Sequence, residues 1–236
     1  MKMSNYTDLL AIFGIGGAHP GGLELTKTNL LQENLKNKSL LEVGCGTGQT
    51  SFFLHSMDVD VTPIDYHPLM VSKANKRFKE SKLSLEAQQM NMMELLFADN
   101  SFDFVLSESV LAFTKLSKTL PELFRVMKKD SILLAIEMTK KDSLPSDVQG
   151  KLTDFYGLPS ILRKDEWESV LQQYGFHGIN IQTISLSELE PTEPDIDPSI
   201  LIPDEMFDMM QAHEELTAES SKHLELSIIR ATPAKN

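Results

Sequence analysis

The chain has 236 residues, a single cysteine and a formal net charge of −12. That length can bury a full core, and one domain is the simplest reading. One cysteine excludes an internal disulfide and a cysteine-based zinc site. No apolar run approaches the roughly 20 residues of a membrane helix, and the stretch from Met1 to Gly17 carries no signal-peptide pattern.

Residues 5–13 are expected as a short helix. Gly14 to Gly22 hold five of the twelve glycines and are expected as a loop. A helix over 23–34 leads to a strand over 39–43, then a helix over 49–56, a strand over 60–64 and a helix over 68–79. Pro63 cannot donate to a ladder, so it is placed at a bulge or strand end. Strands over 83–87, 102–106 and 131–138 follow, the last two joined by a helix over 118–128. Residues 151–163 read as a loop, and 164–174 as a helix stopped by Gly175. Strands over 179–186 and 223–232 close the chain. Between them lie about 35 residues: a Pro/acid loop, "ELEPTEPDIDPS", and a helix over 203–216. Phe207, Met210 and Met206 fall near one face of that helix, with Met209, His213 and Leu216 close by; such a face packs on its neighbours by default.

"LLEVGCGTGQT", Leu40 to Thr50, is the most informative stretch. An apolar strand ends near Glu42, and Gly44, Gly46 and Gly48 alternate before a helix. Glycines permit positive φ and close approach of a ligand to the backbone, and the helix start offers unpaired N–H groups. This is a nucleotide or nucleoside site at the carboxyl end of the first strand of an α/β sheet. The dinucleotide fingerprint G-x-G-x-x-G is not met: the third glycine comes early and Gln49 stands in its place. Asp65, about twenty residues on, sits where a ribose partner is expected. The pattern suggests a nucleoside without a diphosphate.

Two further motifs complete the set: "VTPIDYHPLMVSKANKRF" from Val61 and "NMMELLFADNSFDFVLSESVL" from Asn91. Over Leu40 to Thr139 the order and spacing resemble the class I S-adenosylmethionine-dependent methyltransferases. The resemblance implies a Rossmann-like, seven-stranded, mostly parallel sheet with an antiparallel terminal strand, helices on both faces and a helical lid insert between the last two strands. It implies one domain: residues 1–38 as N-terminal cap and leading helix, 39–139 as cofactor-binding core, and 140–236 as acceptor-side half with an acidic insert at 188–222.

The resemblance also implies roles. S-adenosyl-L-methionine is the expected cofactor and S-adenosyl-L-homocysteine its product. Gly44, Cys45, Gly46 and Gly48 line the methionine part, Cys45 through its backbone alone. Glu42 helps hold the amino group, Asp65 takes the ribose hydroxyls, and Tyr66 packs beside the adenine. Asn91 and Met92 read the adenine edge and face; Asn91 stands where aspartate is common but keeps an acceptor oxygen. Ser107 offers backbone near the methionine. Catalysis is then mostly positioning. His19 is the candidate base, Glu108 faces the acceptor, and Tyr156 is a lid candidate. His55, His67, His177, His213 and His223 show no metal-ligand spacing, and no metal is expected.

The acceptor is expected to be a small molecule, covered by 1–22, 152–162 and 188–222. From Glu188 to Glu225 twelve acids face one base, Lys222, so this segment holds nearly all the net charge. A solvated charged loop and a field favouring a cationic acceptor such as an amine both fit it. No basic footprint for nucleic acid is visible. "SESV", Ser107 to Val110, stands where methylases of nucleic-acid amino groups carry a motif like Asn-Pro-Pro-Tyr. A cytoplasmic enzyme without membrane attachment is expected. A protein methyltransferase, an NAD-dependent oxidoreductase and a non-catalytic cofactor-binding protein are the alternatives; the oligomeric state is left open.

Overall fold

The computed structural model describes residues 5–190, 192 and 195–235. Residues 1–4 of the expected N-terminal cap, and Pro191, Glu193 and Pro194 of the acidic loop, lie outside the described residues. In chain order the elements are α1 (Tyr6–Phe13), β1 (Ile15–Gly16), α2 (Gly22–Leu30), β2 (Ser39–Val43), α3 (Gln49–Ser56), β3 (Asp60–Asp65), α4 (Pro68–Glu80), β4 (Gln88–Gln89) and β5 (Phe102–Glu108). Then come α5 (Leu116–Val126), β6 (Met127–Lys140), α6 (Ser146–Tyr156), α7 (Lys164–Gln173), β7 (Phe176–Ser185), β8 (Asp195–Ile196), α8 (Asp204–Ser220) and β9 (Leu224–Pro233).

The main sheet runs β4-β3-β2-β5-β6-β9-β7. Strands β2 to β6 are parallel, and β9 lies antiparallel between β6 and β7. This is the α/β class read from the sequence. The central strands are near-continuous apolar runs because both faces are covered. Alternation sorts them: Leu41, Val43, Val105 and Leu133 face Leu120, Leu123, Trp167 and Leu171 of α5 and α7. Leu40, Phe104, Leu106 and Leu134 face Leu30 and Leu54 of α2 and α3. The chain leaves β2 for β3 on one side and later returns to β5 on the other. The strand order therefore reverses between β2 and β5, where such sheets hold ligands beyond their carboxyl ends.

Four local expectations are corrected. Pro63 lies inside β3, opposite Glu42. Ile64 turns its carbonyl to the N–H groups of Gly44 and Cys45, so by alternation Pro63 turns its nitrogen the other way. There β4 begins pairing only at Ile64, and no ladder bond is lost. The strand expected over 83–87 is instead the two residues of β4, because the Asn75 side chain bonds both the N–H and the carbonyl of Ala87. Residues 151–156 are helical, the end of α6: Val148 and Leu152 bury one face and Gly157 closes it in the left-handed conformation. The glycine-rich segment is not all loop: β1 pairs antiparallel with β8 of the late insert.

Candidate active site

The three glycines take positive φ, +72° at Gly44, +54° at Gly46 and +76° at Gly48. A side chain at Gly48 would meet the Phe78 ring at 2.6 Å, whereas one at Gly46 would point into open space. Gly48 is the N-cap of α3 and supplies no capping side chain. Asp65, at the end of β3, clasps the turn: its carboxylate accepts the N–H of Gly46 at 2.9 Å and of His67 at 2.7 Å. Burial still raises its pKa, with those two donors opposing.

The turn opens into a cavity of about 830 Å³. Gly44, Cys45, Gly46, Asp65, Tyr66, Asn91, Met92, Glu108 and His19 line it. Glu42, Gly48 and Ser107 stand behind that wall. Glu42 is buried and accepts the Ser51 hydroxyl at 2.5 Å. Burial, then the charge of Glu108, pushes its pKa well up. Ser107 pairs with Val43 and Ala135 inside the sheet; β5 runs on to Glu108, so Glu108 and Ser109, not Ser107, reach the cavity. The Asn91 oxygen accepts the Met93 N–H at 2.9 Å, leaving its second lone pair and its NH₂. Met92 belongs at once to the core and to the cavity wall. Burial raises the Cys45 thiol well above its ordinary range, which disfavours the thiolate.

His19 does not have the free lone pair of a base. Its Nδ1 donates to the Pro20 carbonyl and its Nε2 to Glu108, each at 3.1 Å. Burial alone would lower its pKa, but the Glu108 carboxylate reverses this and raises it. Burial alone would raise Glu108; His19, Thr26 and Thr50 hold it down. The two form a buried imidazolium–carboxylate pair that pins the loop before α2 to the end of β5. Glu108, bonded by Thr50, and Glu42, bonded by Ser51, thus set two carboxyl groups beside the first turn of α3, where a pyrophosphate would need to sit.

Sequence reasoning missed Glu137. It is fully buried on β6 and caps the turn after β5, accepting the N–H groups of Val110, Leu111 and Ala112 at 3.1, 2.9 and 3.4 Å. Burial pushes its pKa up to about 7. A lone acid in the apolar run "ILLAIEM" was its signal.

The cap comes from both ends of the chain. Tyr6 and Leu9 of α1 pack on Met206 of α8. Asp8 takes a bond from His67 Nε2 at 3.2 Å; His67 Nδ1 caps α4. The insert straps over α4: Asp195 pairs with Arg77, and Asp197 takes Lys76 at 2.9 Å and, through its carbonyl, Lys73. The exposed Phe207 touches Phe13 edge-on at 5.4 Å.

A family model described as a methyltransferase domain matches residues 34–175. The chain belongs to this family, the class I S-adenosylmethionine-dependent methyltransferases. An uncharacterized methyltransferase of Bacillus subtilis, YodH, is 37% identical to this methyltransferase over 226 residues, 94% of this chain and 96% of that one. Phosphoethanolamine N-methyltransferase 1 of Arabidopsis thaliana is 34% identical over 120 residues, covering 50% of this chain and 24% of that protein. A solved structure of Haemonchus contortus phosphoethanolamine N-methyltransferase 2, in complex with phosphomonomethylethanolamine and S-adenosylhomocysteine, matches the fold with a TM-score of 0.78. The identity is 16%; the match spans 97% of this chain and 57% of that one.

Proposed function

We propose that this methyltransferase moves a methyl group from S-adenosylmethionine to a nucleophilic atom of a small-molecule acceptor, an amine being favoured, in the cytoplasm. The observation that carries the site assignment is the glycine turn clasped by Asp65 at the point where the strand order reverses. Asp65 retains lone pairs for ribose hydroxyls, Gly46 leaves room against the backbone, and Asn91, Met92 and Tyr66 offer the adenine a polar edge and an apolar face. Glu108 and Glu137 stand near the methionine end.

The cofactor, when bound, supplies a methyl group already activated by its sulfonium. The chain's residues then hold the acceptor in line and exclude water. Tyr6, Phe113 and Leu10 wall the cavity on the side of α1, and Tyr156, Leu158 and Ile161 on the side of α6. His19 keeps Glu108 ionised and the loop closed. A base is needed only where the acceptor carries a proton.

Among the described residues lining the cavity there is no lysine or arginine. That supports an acceptor without phosphate, unlike the phosphomonomethylethanolamine of the Haemonchus contortus complex. The carboxyl groups at the start of α3 argue against a dinucleotide. The single buried cysteine supports the cytoplasmic reading, and no helix among the described residues is long and apolar enough to cross a membrane. The test is calorimetric titration with S-adenosylhomocysteine and, in parallel, NAD. Micromolar binding of the first and none of the second is expected; binding of NAD alone overturns the reading.

A further inference from the structure

We propose that the outer half of the cavity is an aromatic seat for an organic ammonium ion, the head group of the acceptor, and that it turns away phosphorylated molecules. This rests on the methyltransferase reading and specifies the acceptor's chemistry.

Four rings from four parts of the chain meet there. Tyr6 of α1 is buried; its ring stacks on Phe113 at 6.3 Å and 6°. Tyr156 of α6 meets Tyr6 edge-on at 4.6 Å and 85°, and His213 of α8 lies 5.3 Å from it. All four line the cavity. The face of such a ring is electronegative, and it attracts a cation most strongly when water is excluded. A packing-only account of these rings leaves the polar members unexplained: Tyr156 Oη and His213 Nδ1 are 2.9 Å apart, in a wall also lined by Thr217, Ser220 and Ser221.

Charge points the same way. Burial lowers the His213 pKa, outweighing Glu214 beside it, so the ring is neutral at pH 7. A neutral ring can accept the Tyr156 hydroxyl at its Nδ1, 2.9 Å away. The aromatic wall therefore adds no positive charge. The described acids lining the cavity are Asp65, Glu108 and Glu137, against no lysine or arginine. Three bases of α4, Lys73, Lys76 and Arg77, are tied to Asp195 and Asp197 of the strap. A phosphate entering here would lose its water without gaining a cationic partner. An ammonium ion gains ring faces and a negative interior.

The experiment uses the full chain saturated with S-adenosylhomocysteine and ligand-observed NMR titration at pH 7.5. Three probes share one shape: choline, its uncharged carbon analogue 3,3-dimethylbutanol, and phosphocholine. Choline is expected to bind about tenfold more tightly than either of the others. Tyr6→Leu and Tyr156→Leu are expected to abolish that preference, Tyr156→Phe to keep it, and His213→Arg to remove choline binding by fixing a positive charge in the wall. Each variant is expected to keep its S-adenosylhomocysteine affinity within about twofold, which separates loss of the seat from loss of fold. Equal binding of the uncharged analogue, tighter binding of phosphocholine, or no choline binding overturns the ammonium seat. Failure of S-adenosylhomocysteine to bind at the outset overturns the cofactor reading beneath it.

Discussion

Replacing Glu137 with glutamine tests the electrostatics of the cavity floor without knowledge of the acceptor. Burial lifts this carboxyl from 4.5 to about 7, against the pull of three backbone N–H groups. Because the folded value is raised, the native state keeps a proton that the unfolded chain has released. Wild-type stability therefore falls as pH rises from 4.5 to 7, and the loss totals about 3 kcal/mol. Glutamine does not titrate. Its oxygen still serves Val110 and Leu111, and only the long 3.4 Å bond to Ala112 is lost. Glu137→Gln is thus expected to be slightly less stable than wild type at pH 5 and more stable at pH 8. For a chain of this size the change corresponds to about 6–12 °C in Tm difference. Thermal denaturation of both proteins without cofactor, from pH 5 to 8, measures it. A Tm difference that stays constant across that range refutes the argument.

Asp65→Ala removes charge-assisted bonds worth about 1.5–3 kcal/mol each to a bound ribose, so S-adenosylhomocysteine affinity should fall at least tenfold by calorimetry; unchanged affinity removes Asp65 from that role. Because Gly46 and His67 also lose their acceptor, its Tm should fall as well. His19→Ala leaves Glu108 unpaired. The raised histidine stabilises below pH 6.5 and loses this as pH rises through its folded value; the lowered glutamate stabilises above pH 4.5 and loses this as pH falls through its own. The Tm penalty should therefore peak between those two values, and a larger penalty at pH 8 would contradict the ion pair. Gly48→Ala drives a methyl into the Phe78 ring at a strained φ, costing about 1–3 kcal/mol by denaturation. Gly46→Ala meets no protein atom, so it should instead weaken S-adenosylhomocysteine binding more than it lowers Tm.

What was legible in the sequence was local. The glycine turn and the helix that follows lie within one strand–turn–helix stretch, and Asp65 ends the very next strand, so each is dictated by its own backbone needs. The order of strands and helices was legible for the same reason. α6 was not: Gly150 lowers its helix propensity, and its face is defined by Leu216 and Leu224 far along the chain. The strand read over 102–106 runs on to Glu108, because nothing local distinguishes the end of β5 from its middle. His19 lines the cavity, but its pairing with Glu108 could not be read locally, since the two lie 89 residues apart. Tyr6, Tyr156 and His213 meet only in the fold, so no periodicity could group them.

The acidic insert is the instructive case. Its charge suggested either solvated surface or an electrostatic lure. Asp195 and Asp197 do neither: they bind the basic face of α4 and hold the strap, while the N–H groups of Asp197 and Ser199 bond the carbonyls of Gly14 and Ile12. On the ammonium proposal, the field that meets a ligand comes instead from inside the cavity, where Asp65, Glu108 and Glu137 line the wall. Of the three histidines lining it, only His19 has both ring nitrogens donating, and Glu108 offsets its charge. An interior built this way would, on that proposal, favour cations at both ends. The cofactor end and the acceptor end are then selected by one electrostatic design, and a substitution that adds positive charge at the aromatic end should be felt by the acceptor without closing the cofactor site.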